Sequence, residues 1–96
     1  MLKKEVEKRL SQLKDWKLVE GTLEKNYKFS DFKHAVEFIN RVADVAEAQN
    51  HHPDILLWSW NNVKLTITTH SIKGLSENDF LLASSIDRMK LSLNRK

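Results

Sequence analysis

Residues 47–53 read Glu47-Ala48-Gln49-Asn50-His51-His52-Pro53. They close one hydrophobic pattern and open another. Upstream, Phe32, Ala35, Val36, Ile39, Val42, Ala43 and Ala46 recur at steps of three and four, with Phe38 and Val45 along a second apolar edge. That spacing predicts a broad-faced amphipathic helix from the start signal Ser30-Asp31 to about Asn50. Downstream, Ile55 to Trp60 is apolar and aromatic, and Val63 to His70 alternates. Val63, Leu65 and Ile67 share one face; Lys64, Thr66, Thr68 and His70 share the other, which is the period of a half-buried strand. Pro53 cannot continue a helix and disfavours the helical region for His52. The stretch is therefore a helix-to-strand junction carrying two adjacent imidazoles.

Working outward, Leu2, Val6, Leu10 and Leu13 predict a helix over residues 2–14. Trp16 to Glu20 reads as a strand with Trp16, Leu18 and Glu20 on one face. Gly21-Thr22 is a hairpin turn, and Leu23, Lys25, Tyr27 and Phe29 form the aromatic-rich face of a second strand. Asn61-Asn62 supplies the second hairpin turn, since Asn tolerates positive φ. Gly74-Leu75-Ser76 opens a last helix, with Ser76 and Asp79 spaced as a capping box. Phe80, Leu81, Ala83, Ile86, Met89 and Leu93 are its expected buried side. The order helix, hairpin, helix, hairpin, helix predicts an α+β fold of two layers: a four-stranded antiparallel sheet with three helices on one face. Residues 1–96 are read as one domain.

Composition bounds the function. Sixteen Lys and Arg against 13 Asp and Glu give a net charge of +3. The Lys3, Lys4, Lys8 and Arg9 group is interleaved with Glu5 and Glu7, so no basic stripe points to nucleic acid. With no cysteine in the chain, a thiolate nucleophile, a disulfide and a Cys-ligated metal are all excluded. The N-terminus lacks the apolar run of a signal peptide, and no stretch approaches membrane-spanning length, so a cytoplasmic protein without membrane attachment is expected. A core this thin makes self-association an expectation too.

Chemistry centres on histidine, whose charge changes near neutral pH. A two-residue turn at Asn61-Asn62 sets His70 opposite Pro53, within side-chain reach of His51 and His52. Glu47, one helical turn before His51, is placed to orient an imidazole. Asp79 serves either as the cap partner of Ser76 or as a carboxylate touching imidazole or substrate. Trp60 is either a stacking platform or a core aromatic; Trp16 and Trp58 read as core or interface residues. Histidines capping element ends would explain the same positions. Zinc on the histidines with Glu47 or Asp79 is a third reading, weakened because adjacent histidines rarely chelate one ion and no HExxH spacing is present.

The string Glu47-x3-His51-His52-Pro53-x6-Trp60-x9-His70-x8-Asp79 resembles that of the pterin-4a-carbinolamine dehydratases. So do Phe32-Lys33, Arg41-Val42-Ala43, the Thr-Thr-His ending at His70, Gly74-Leu75-Ser76-Glu77 and Leu82-Ala83-Ser84. The resemblance implies the same two-layer fold. It implies dehydration of 4a-hydroxytetrahydrobiopterin to quinonoid dihydropterin, recycling the pterin cofactor of aromatic amino acid hydroxylases. Neither metal nor organic cofactor is implied, and the assembly implied is a homodimer or homotetramer. It assigns His51 and His70 as acid/base residues at the leaving hydroxyl and His52 as a pterin-binding residue and further base. Asp79 and Glu47 set imidazole charge and geometry, and Pro53 and Trp60, with Trp16 as the alternative to Trp60, line the pterin pocket. Some animal members also bind a homeodomain transcription factor. The alternative is accordingly a non-catalytic protein-binding, coactivator or assembly module on the same fold, with a second protein partner.

Overall fold

The computed structural model describes residues 1–89. The elements run α1 (Lys3–Ser11), β1 (Lys17–Val19), β2 (Thr22–Lys28), α2 (Phe32–Gln49), β3 (Asp54–Trp58), β4 (Asn62–Ile67), a short 3-10 turn (His70–Ile72) and α3 (Glu77–Asp87). All strand pairs are antiparallel, in the order β1-β2-β4-β3. The α+β class with three helices and a four-stranded antiparallel sheet is as expected.

One core holds the layers together. Leu23, Tyr27 and Phe29 from the β2 segment and Val63, Leu65 and Ile67 from β4 are buried on the same side of the sheet. Ala35, Phe38, Val42 and Ala46 of α2 and Phe80, Leu82, Ala83 and Ile86 of α3 pack into that cluster, with Val6, Leu10 and Leu13 of the α1 segment at its edge. Tyr27, Phe29 and Phe38 meet as a trio of rings. Phe38, expected at the margin of its helix, lies at the centre, whereas Phe32 is exposed. On α3 the buried residues are Asp79, Phe80, Leu82, Ala83 and Ile86, whereas Leu81, expected inside, faces out. Leu93 lies outside the described residues.

Both hairpin turns differ from expectation. The first is Glu20-Gly21, with φ of 46° and 79° and Val19 paired to Thr22. Two positive φ values match the right-handed twist of the flanking strands. The second is a three-residue loop, Ser59-Trp60-Asn61, closing the pair Trp58–Asn62. Asn61 is not free to turn, because it is buried and tied to Phe29 twice: its Nδ2 donates to the Phe29 carbonyl, and its carbonyl accepts from the Phe29 N–H, both at 2.9 Å. The resulting register sets Leu57 against Val63 and Ile55 against Leu65, apolar against apolar on the inner face.

β4 also ends earlier than the alternation suggests. After Ile67, the Thr68 hydroxyl shares its one proton between the carbonyls of Gly21 and Gly74, at 3.1 and 3.2 Å, and Thr69 forms an isolated bridge with Gly74. His70 therefore opens a 3-10 turn and does not pair opposite Pro53.

Candidate active site

The junction is shaped by the end of α2. Asn50 takes the left-handed conformation, φ 50°, and caps the helix three residues before Pro53. The helix stop is thus set by Asn50, with Pro53 guiding the chain into β3. The His51 N–H reaches back to the Ala46 carbonyl at 3.1 Å, which pins His51 against the last helical turn.

His51 then meets α3. Its Nε2 lies 2.6 Å from Oδ1 of Asp79. Asp79 is fully buried and sits in the first turn of α3, where the free N–H groups and the helix dipole favour a carboxylate. Its second oxygen accepts the Ser76 N–H at 2.7 Å and the Thr69 hydroxyl at 2.8 Å. The two readings of Asp79, cap and imidazole partner, are both present as contacts. An ionised carboxylate only accepts hydrogen bonds, so the network assigns the neutral ring's proton to Nε2. The Nδ1 lone pair of His51 is then left for other chemistry.

His52 makes the second couple, with its Nε2 on Oε2 of Glu47. Glu47, placed by sequence one turn before His51, thus orients the other imidazole. This pair is open to solvent, with side-chain exposures of 55% and 76%, against 16% for His51 and 0% for Asp79. The two adjacent histidines are therefore unlike: one is braced from a buried carboxylate, the other is held at the surface.

His70 is exposed and follows Thr69, whose hydroxyl holds Asp79. No hydrogen bond joins it to His51 or His52 among the described residues. Trp60 is not at the junction. It sits in the loop at the far end of β3, about 17 Å or more from Pro53 at the usual strand rise. Among the described residues, no three His, Cys, Asp or Glu side chains are grouped so as to hold a metal ion.

A second polar cluster escaped sequence reasoning. Lys25 and Asp87 form a buried pair at 3.0 Å, and Asp87 also accepts from Trp16 Nε1 at 3.0 Å and from the Lys14 N–H at 2.9 Å. It fastens the end of α3 opposite to Asp79. Trp16 is a core residue, as expected, whereas Trp58 is exposed.

Fold and site define the class: a small α+β domain with imidazole–carboxylate couples where its central helix meets an edge strand. The chain matches the family model for pterin 4 alpha carbinolamine dehydratase over residues 1–89, and it belongs to that family of hydro-lyases. A Rubrobacter xylanophilus protein provisionally named a pterin-4-alpha-carbinolamine dehydratase is 43% identical over 88% of this chain and 79% of its own length. The mitochondrial pterin-4-alpha-carbinolamine dehydratase 2 of Arabidopsis thaliana is 46% identical over 72% of this chain and 37% of its own. A crystal structure described as a transcriptional coactivator/pterin dehydratase from Brucella melitensis superposes with a TM-score of 0.83 and 31% identity, covering 90% of this chain and 93% of that one. A pterin dehydratase-like RuBisCO assembly factor of the alpha-carboxysome shares the fold at 19% identity and a TM-score of 0.60, covering 75% and 82%. No described helix is long and apolar enough to cross a membrane.

Proposed function

We propose that this chain dehydrates a 4a-hydroxytetrahydropterin, such as 4a-hydroxytetrahydrobiopterin, to the quinonoid dihydropterin and water by histidine acid–base catalysis. Family membership supports the reaction class. The observation that carries the chemistry is the 2.6 Å contact between His51 Nε2 and the buried Asp79 carboxylate.

The C4a–O bond breaks, N5 loses its proton and a C4a=N5 bond forms. Hydroxide leaves poorly, so the 4a-oxygen must be protonated as it departs. One proton is given and one is taken, so two imidazoles in opposite protonation states exchange those states in one turnover, and proton exchange with solvent restores them. His51, with Nε2 fixed on Asp79, presents Nδ1 to the substrate. His70 is its acid/base counterpart at the leaving hydroxyl. His52, held by Glu47, orients the pterin beside Pro53 and serves as a further base. Trp60, at the far end of the hairpin, is left out of this pocket. No step needs a metal or an organic cofactor.

The same reading puts the protein in the cytoplasm as a pterin-recycling homodimer or homotetramer. Support for self-association comes from β3, an edge strand with Ile55, Leu56 and Trp58 exposed. A monomer at all concentrations in analytical ultracentrifugation would remove that part.

The test is dehydration of 4a-hydroxytetrahydropterin by purified protein. His51→Ala and His70→Ala are each expected to lower kcat by about 10²–10⁴-fold with the fold intact. Parent rates in both single variants would sink the role assignment. Parent protein no faster than buffer would leave the non-catalytic binding module.

A further inference from the structure

We propose that Thr69 is a positioning residue of the dehydration site: its hydroxyl fixes the Asp79 carboxylate, and through it the tautomer of His51, while its backbone carries the turn that holds His70. The catalytic consequence rests on the role given to His51 above; the hydrogen-bond assignment does not.

Thr69 follows Val63, Leu65 and Ile67 as the next inward position of the strand alternation. A polar side chain at an inward position needs a partner. Thr69 Oγ1 has two: Asp79 Oδ2 at 2.8 Å and Ser76 Oγ at 2.7 Å. A hydroxyl has one proton to give. Given to the carboxylate, it leaves Thr69 Oγ1 as acceptor for the Ser76 hydroxyl. The chain of donors then runs Ser76 to Thr69 to Asp79 Oδ2. With the Ser76 N–H also on Oδ2, at 2.7 Å, that oxygen is satisfied and Oδ1 is committed to His51.

The backbone of Thr69 does separate work. Its N–H donates to the Gly74 carbonyl at 2.9 Å, and its carbonyl accepts from Ile72 at 3.2 Å and Gly74 at 3.4 Å. These bonds close the loop bearing His70. Removing the hydroxyl alone should release the His51 arm and spare the His70 arm. Without it, Ser76 Oγ remains 3.5 Å from Oδ2, too far to replace the lost donor well. The carboxylate then turns more freely, and both neutral tautomers of His51 become populated.

Thr69→Val keeps shape and deletes the hydroxyl; Thr69→Ser keeps the hydroxyl. Both are made in the full chain and read by steady-state kinetics and by ¹⁵N shifts of the His51 ring. The valine variant is expected to lose roughly 10-fold in kcat, the worth of one charge-assisted hydrogen bond, with little change in KM. Its two ring-nitrogen shifts should move toward each other, and serine should restore both readouts. A valine variant with the parent's kcat and shifts overturns the proposal. So does a serine variant as impaired as valine, a comparison that Thr69→Ala replaces if valine does not fold. Altered shifts with unaltered kcat, beside a fully active His51→Ala, would retire the catalytic role of His51 and uphold the hydrogen-bond assignment.

Discussion

Asp79→Asn separates a helix cap from a catalytic brace. The carboxylate accepts three donors from full burial: Ser76 N–H, the Thr69 hydroxyl and, at 2.6 Å, His51 Nε2. A carboxamide has the same shape but one acceptor oxygen. Two donors converge on Oδ2, so the amide oxygen belongs there, and its NH₂ group then faces His51. That amide donates, so Nε2 must accept, and the ring proton moves to Nδ1. The lone pair proposed to act on the substrate is thereby blocked. The stability loss is that of one charge-assisted hydrogen bond, about 2 kcal/mol, or roughly 10 °C in Tm for a chain this short. The activity loss is larger, roughly 10²–10⁴-fold in kcat, because the imidazole is held in the wrong tautomer. Thermal denaturation and stopped-flow dehydration of the 4a-hydroxypterin read the two effects separately. A variant that melts lower but turns over within about threefold of the parent would show Asp79 to be a cap only, and the reasoning would fail.

Two further outcomes follow from the charges. Lys25→Met strands Asp87 in a buried site, which should cost about 3–5 kcal/mol in urea denaturation, whereas Lys25→Met/Asp87→Leu should recover only part of it, because Trp16 Nε1 and the Lys14 N–H then lose their acceptor; a single-variant loss under about 1 kcal/mol would contradict the buried pair. Asp31 is held below its ordinary value of 3.8, first by the His34 backbone N–H and then by the His34 imidazole, so its ionised form stabilises the N-terminus of α2. That stabilisation is complete above the ordinary value and fades as pH falls through the lowered one, so the stability difference between the parent and Asp31→Asn should shrink as pH falls below about 4.

The layers were legible because apolar periodicity reports burial directly. Val63, Leu65 and Ile67 alternate and are buried; Ala35, Val42 and Ala46 recur at helical steps and are buried. Turn placement was not legible, because it depends on a side chain from elsewhere. Asn61 looked like a turn residue, yet its amide and carbonyl satisfy Phe29 at the end of the β2 segment, so the bend moves to Ser59 and Trp60 at positive φ. A bulky aromatic rarely adopts that conformation, and nothing in the local sequence announces it. The misplaced turn also misplaced His70.

The site was partly legible for a different reason. Asp79 has two readings, and a carboxylate has two oxygens, so no choice between them was needed. One oxygen takes the N–H of Ser76 and the other takes His51. What went unread were polar residues at inward positions: Thr69 after Ile67, and Lys25 between Leu23 and Tyr27. Each breaks an apolar face, and a buried polar group without a partner is costly enough that each break implies one. Thr69 finds Asp79 at the start of α3, and Lys25 finds Asp87 at its end. Both breaks thus fasten the same helix to the sheet, one at each terminus. The helix held in this way carries the carboxylate on His51. The Lys25–Asp87 pair therefore bears on the alignment of a site some two to three helical turns away, about 12 Å at the usual rise per residue.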